Sequence, residues 1–199
     1  RLEVEQQAGS RLRSASLALG GALARVEIVC CLLGERATAE LNGLYLADGR
    51  AHVDHHTHVA HASPNCESRE RYKGLIAGRG HAVFNGKVVV HAGADGTDAS
   101  QHNANLLLSR HAEVDTKPEL EIYADEVQCS HGATVGQLDA GQLFYLRSRG
   151  LDEDMARNVL TFAFAEDVLS RLESAEARRH LERAVLSRLP GGASLEERL

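Results

Sequence analysis

Cys129-Ser130-His131-Gly132-Ala133-Thr134-Val135-Gly136 is the stretch at which this chain changes its hydrophobic period. Before it the pattern alternates every two residues, and after Val135 the period becomes 3.6, so a β region hands over to a helical one. If residues 119–131 run as a strand, Cys129 and His131 point to one face and Ser130 to the other. A thiol and an imidazole on one pleat edge form a ligand pair for a soft or borderline metal. Nucleophilic catalysis suits them less, because no third orienting group is near and no nucleophile-elbow motif occurs. The bland alternative is a buried cysteine followed by a helix-capping loop.

Upstream, from Leu12 to about Val127, the chain is a succession of short alternating runs: Ala24–Val29, Ala37–Leu41, Gly43–Leu46, His52–His55, Ala82–Phe84, Lys87–Val90 and Glu119–Ala124. Asn42-Gly43, Asp48-Gly49, Asn85-Gly86 and Asp95-Gly96 read as the turns between them, and Pro118, which cannot donate to a ladder, as the start of the final strand. Nothing long and helical intervenes. Two architectures fit, an antiparallel sandwich or a β-helix of stacked rungs, and no strict repeat chooses between them. Aromatic residues are only 4% and Trp is absent, which is lean for a sandwich.

Downstream, Asp139-Ala140-Gly141-Gln142 resembles a capping-box start, Leu143, Phe144 and Leu146 supply apolar contacts, and Gly150 ends the helix. A second helix follows, with Asp152-Glu153-Asp154 at its positive end. It is apolar on two faces: Met155, Val159, Phe162 and Leu169 on one, Leu160, Phe164 and Val168 on another. Such a helix is either buried on both sides or touches a partner. A third, highly charged helix spans Ser174 to Leu189, closed by Pro190-Gly191-Gly192 before a frayed tail.

The chain has 199 residues, 43% of them hydrophobic, with a net charge of −6 and a pI near 6.0. That is enough for a real core, and it lacks the positive footprint of a nucleic-acid or anionic-membrane binder. No apolar run approaches the ~18 residues that span a bilayer; the longest, Val26 to Leu33, contains Glu27. Cys30, Cys31, Cys66 and Cys129 are too few and too unevenly spaced for a disulfide scaffold, so a reducing cytoplasm is expected. The chain starts at Arg1 in an already patterned segment, as the C-terminal part of something longer would.

The histidines of His52-Val53-Asp54-His55-His56-Thr57-His58-Val59-Ala60-His61 invite a metal reading. On a strand, His52, Asp54, His56 and His58 share one face while His55 and His61 take the other, so no single site collects them. Asn85-Gly86-Lys87 looks like the end of a phosphate loop. However, the spacing from Gly80 to Gly86 is one residue too long, and Val88 replaces the Mg²⁺-binding hydroxyl, so no nucleotide site is expected. Asp125 and Glu126 read as solvated turn carboxylates, or as extra ligands beside Cys129 and His131.

Several ordered segments resemble the SufB/SufD family of the SUF iron–sulfur cluster assembly system. They are Tyr72-Lys73-Gly74, Val83–Val88, Thr97-Asp98-Ala99, Gln101, Asn103, Asn105–Ser109, Asp115–Ile122, Cys129–Gly136 and Leu143–Gly150. SufB members usually read Glu-His-Glu-Ala at the position of Ser130–Ala133, which puts this chain on the SufD side. The resemblance implies a mainly β fold, a right-handed parallel β-helix over 1–135, and a small α-helical domain over 136–199. It also implies a non-enzymatic scaffold that pairs with SufB through the β-helix and binds the SufC ATPase through the C-terminal helices, at Phe162, Phe164, Val168 and Leu169. Cys129 and His131 would then meet a nascent cluster or transient iron at the SufB–SufD junction, His131 being the metal ligand. A homodimer is one state left open for the isolated chain. The competing class is a zinc enzyme on a β-helix, using the 52–61 histidines. Cys30-Cys31 has no role in the family pattern.

Overall fold

A computed structural model describes residues 1–189. Ten strands come first: β1 Leu2–Gln6, β2 Arg11–Ala18, β3 Leu23–Leu32, β4 Thr38–Ala47, β5 His52–His61, β6 Glu67–Ile76, β7 His81–Val90, β8 Asp98–Leu107, β9 Glu113–Ile122 and β10 Gln128–Gly136. Odd strands form one sheet in the order β1-β3-β5-β7-β9, and even strands the other, β10-β8-β6-β4-β2. Every pairing is parallel. The antiparallel sandwich is thereby excluded. The fold is a β-solenoid of about five turns, each turn laying one strand in each sheet.

Alternation decides which side chains point inward. In β7, Ala82, Phe84, Val88 and Val90 are buried while His81, Val83, Asn85 and Lys87 are less so. The inward residues of both sheets make one core, with Tyr45, Tyr72, Phe84 and Leu41 among its fully buried side chains. A low aromatic content suffices because the rings stack through the solenoid: His55 on Tyr45 with centroids 5.0 Å apart, Tyr72 on Phe84 at 5.0 Å. In β4 the run Leu41–Ala47 is buried on both faces, since its outward Leu44 and Leu46 lie under a helix.

Several expected boundaries move. Ala37–Leu41 and Gly43–Leu46 belong to a single strand, β4, apart from Ala37 just before it. Ala82–Phe84 and Lys87–Val90 are likewise both β7. Asn42-Gly43 and Asn85-Gly86 are therefore not turns, and their glycines serve close packing. A Cβ on Gly43 would sit 2.1 Å from the Tyr72 ring, and one on Gly86 2.4 Å from Gln101 Nε2. Asp48-Gly49 and Asp95-Gly96 do turn the chain, with both glycines at positive φ. Pro118 lies inside β9 rather than at its start, tolerated because β9 is the last strand of its sheet.

Three helices follow, α1 Ala140–Ser148, α2 Glu153–Leu169 and α3 Ala175–Leu186. Each starts with a side-chain cap: Asp139 accepts from Gln142 N, Asp152 from Met155 N and Ser174 from Ala177 N. Gly150, at φ 94°, follows the end of α1. The expected Pro190-Gly191-Gly192 stop and tail lie outside the described residues. Val168 and Leu169 of α2 pack on Leu44, Leu46, Leu75 and Leu106 of the solenoid, and Met155 packs on Leu186 of α3. The two apolar faces of α2 thus both have partners within the chain.

Lys73 fastens this helix to the solenoid. Its Nζ donates to Phe164 O at 3.1 Å, pairs with Asp167 at 2.9 Å and lies 4.4 Å from the Phe164 ring centroid. The Lys73 ammonium holds the Asp167 carboxyl below its ordinary value. Lys73→Met should cost roughly 1–2 kcal/mol. Limited proteolysis checks this: cleavage within α2 should quicken while the strand region keeps its resistance, and unchanged cleavage would remove Lys73 as the fastening.

Candidate functional site at the last rung

Residues 119–131 are not one strand. β9 ends at Ile122, the chain turns the corner, and β10 begins at Gln128 in the other sheet. Cys129 and His131 still share a face because both lie in β10. Its register on β8 pairs Cys129 with Ala99, Ser130 with Ser100, His131 with Gln101 and Ala133 with Asn103. In-register residues of parallel strands face the same way. Since Ala99, Gln101 and Asn103 are buried inward residues, Cys129 and His131 also face the solenoid interior.

What makes them reachable is their position. Among the described strands β9 pairs only with β7, and β10 only with β8, so no further rung covers either. Cys129 is half-buried against the core, and burial pushes its thiol above the ordinary value. His131 is exposed. Ile122, Tyr123 and Val135 are exposed apolar side chains on or just beyond the same rung. A free strand edge flanked by exposed apolar residues invites pairing with another chain.

The other expected ligands do not converge. Asp125 and Glu126 lie exposed in the turn before β10. Among the described residues no group of three or more His, Cys, Asp or Glu side chains could hold a metal ion. Cys129 and His131 are two side chains of the types iron accepts, and no third candidate ligand joins them among the described residues.

Three of the β5 histidines, His55, His56 and His61, have partners within the fold. His56 Nε2 lies 2.7 Å from Asp54, which also receives Arg25 at 2.8 Å. Inside, His61 Nε2 is 2.8 Å from Ser68 Oγ and His55 stacks on Tyr45. Burial holds both inward imidazoles down at about 4. Asn85-Gly86-Lys87 sits mid-strand in β7, where Lys87 pairs with Glu121 at 2.8 Å. All four cysteines are free thiols. Cys30 is buried beside Gln6 Oε1 at 3.4 Å, and burial pushes it up to about 12, which suits packing rather than reactivity.

Val168 and Leu169, expected to meet an ATPase partner, are closed off by the solenoid at 2% and 0% exposure. Phe162 and Phe164 are half-buried beside them. Phe144, expected to make contacts within the chain, is instead 75% exposed on α1, next to Tyr145. Sequence reading also missed a buried polar series on β8. Gln101, Asn103 and Asn105 alternate inward, and Asn103 Nδ2 donates to Tyr45 Oη at 2.9 Å while Asn105 Nδ2 donates to Asn103 Oδ1 at 2.6 Å. The i, i+2 spacing of three amides within a strand was the available signal.

The molecule is a parallel two-sheet β-solenoid with helices packed on it, and it carries a thiol and an imidazole on its uncovered last rung rather than in an enclosed pocket. Residues 1–164 match the family model described as SUF system FeS cluster assembly, SufBD core domain, and the chain belongs to that family of iron–sulfur cluster assembly proteins. It is 42% identical over 180 residues to the iron–sulfur cluster assembly protein SufD of Escherichia coli (strain K12), covering 90% of this chain and 43% of that protein. It is 39% identical over 185 residues to a SufBD family protein of Synechocystis, covering 93% of this chain and 41% of that one. Against the chloroplastic protein ABCI7 of Arabidopsis thaliana the identity is 35% over 176 residues, 88% of this chain and 37% of the other. The chain spans less than half the length of these relatives. No helix among the described residues is long and apolar enough to cross a membrane.

Proposed function

We propose that this chain is the SufD-type half of a scaffold on which an iron–sulfur cluster is built. Its last rung pairs with a SufB-type subunit, His131 and Cys129 face the nascent cluster at that junction, and the helical end engages a SufC-type ATPase in the cytoplasm. The observation that carries this reading is the placement of Cys129 and His131 on one inward face of an uncovered rung. Two donors without a third demand a junction, because the missing ligands must arrive with the partner or with sulfide. The cluster is cargo here, so the binding groups must let go. His131, exposed, meets that need better than Cys129, which is half-buried and whose thiol burial pushes above its ordinary value. With Val168 and Leu169 buried, the ATPase contact falls to the exposed Phe144 and Tyr145, with Phe162 and Phe164 at its margin.

Joint expression of the full-length protein with SufB and SufC tests this. A complex of all three should co-purify. His131→Ala should leave that complex intact and reduce cluster formation roughly tenfold or more, read by the visible absorbance of the reconstituted complex. Normal cluster yield in the variant would remove His131 from the site, and failure of the three chains to co-purify would overturn the scaffold reading.

A further inference from the structure

A short polar row, Glu70, Gln101 and His131, ends at the last rung, with the apolar Leu41 behind it. The register stacks Leu41 of β4, Glu70 of β6, Gln101 of β8 and His131 of β10 in one inward row, with about 4.8 Å between neighbouring strands. Glu70 and Gln101 are buried, at 1% and 2% exposure, and Gln101 Nε2 donates to Glu70 Oε1 at 3.0 Å. A carboxamide is planar, with nitrogen and oxygen on opposite sides of its carbon. Tying the nitrogen to Glu70 therefore leaves the oxygen free for another donor. That oxygen is buried and has no hydrogen-bond partner among the described residues, an unfavourable state for a buried acceptor. The next group in the row is the His131 imidazole.

The space for this arrangement is built into the facing sheet. A Cβ on Gly86 would stand 2.4 Å from Gln101 Nε2 and 2.8 Å from Cδ, so any larger residue there would displace the amide. A buried amide held by a buried carboxyl, in a slot kept open by a glycine, is a specified feature rather than leftover polarity.

We propose that Gln101, oriented by Glu70, is a positioning residue for His131: its side-chain oxygen accepts the imidazole N–H, fixing one tautomer and leaving the lone pair of the other ring nitrogen toward the open end of the solenoid. A histidine that donates to iron or another metal commonly gives its second ring N–H to a carbonyl or carboxylate in this way. Metal donation by His131 is the reading given under Proposed function, and the inference rests on it for its purpose; the tautomer itself can be measured without any cluster.

The test uses full-length protein labelled with ¹⁵N-histidine at pH 8, with long-range ¹H–¹⁵N correlation and His131 assigned by its disappearance in His131→Asn. The parent should show one dominant tautomer at His131. Gln101→Leu, or Gln101→Met if the first does not fold, should shift it to a mixture, whereas Glu70→Gln, which keeps an acceptor for the amide, should preserve the single form. A mixture in the parent, or a tautomer indifferent to Gln101→Met, overturns the proposal. The two readings separate cleanly. A tautomer that responds to Gln101 while His131→Ala leaves cluster yield normal would sink the cluster role and keep the positioning, and the reverse pattern would do the opposite.

Discussion

Gly43→Ala should destabilise the protein by about 3 kcal/mol or more, although adding a methyl to a strand glycine ordinarily stabilises by roughly 0.5–1 kcal/mol. The reason is a reciprocal pair across two rungs. β4 carries Gly43 and Tyr45, β6 carries Tyr72 and Gly74, and the register sets Gly43 over Tyr72 and Tyr45 over Gly74. Each ring occupies the space above the other strand's glycine. A Cβ on Gly43 would lie 2.1 Å from two Tyr72 ring carbons, and one on Gly74 2.3 Å from the Tyr45 ring and 2.4 Å from Asn105 Oδ1. Both rings are fully buried and Tyr45 is tied to Asn103 and Asn105, so neither can swing aside. Gly74→Ala should cost as much and also disturb that hydrogen-bonded group. The cause is separable from a general strand effect: Tyr72→Leu in the Gly43→Ala background should recover more than half the loss, a coupling that a double-mutant cycle reads directly. Unfolding midpoints in urea decide it, and a Gly43→Ala protein within about 0.5 kcal/mol of the parent would show that the rungs are not packed in this way.

The same pair explains what could and could not be read from the residues. The change of period after Val135, the cap at Asp139 and the division of the β5 histidines between two faces follow from local chemistry, and the structure has all of them, whereas Asp152, read as first-turn charge, is itself the cap of α2. Asn42-Gly43 and Asn85-Gly86 read as turns because the local signal for a turn and for a tight packing slot is the same pair of residues. Only the ring on the neighbouring rung distinguishes them. Pro118 misled for a related reason, since an edge strand tolerates in its middle what a central strand accepts only at its start. The stacking itself left no periodic trace. One rung runs from Leu2 to Ile28 and another from His81 to Glu113, so rung length varies and self-similarity is lost while the register survives.

The site was half legible. Alternation alone places Cys129 and His131 together, whatever strand contains them. That they face inward, and that Gln101 and Glu70 stand behind His131, depends on which residues lie in register roughly thirty positions apart. Nor could the direction of α2 be read, because a helix apolar on two faces has the same pattern whether its second neighbour is α3 or another protein.

Acid should weaken the fold in a way that traces to buried side chains of the solenoid. His55 and His61 are held at about 4, mainly by burial, against an ordinary value of 6.5. Their neutral forms fit the interior, so their contribution is complete above 6.5 and is lost as pH falls toward 4, by roughly 3 kcal/mol each. Glu70 works in the opposite sense. Burial raises it to about 7 from 4.5, so its contribution is complete below 4.5 and is lost as pH rises through 7. Between 4.5 and 6.5 the unfolded chain binds two histidine protons that the folded chain refuses, and the folded chain keeps one on Glu70. Stability from these three groups therefore rises with pH by the equivalent of one proton, on the order of 3 kcal/mol across the interval, peaks near 6.5 and then declines. His55→Phe leaves one histidine against one carboxyl and should flatten the interval. Glu70→Gln leaves two histidines unopposed and should double the slope. Urea-unfolding free energies at pH 4.5, 5.5, 6.5 and 8 give all three profiles, and parallel curves for the parent and His55→Phe would mean that the imidazole stacked on Tyr45 takes up its proton inside the solenoid as readily as outside it.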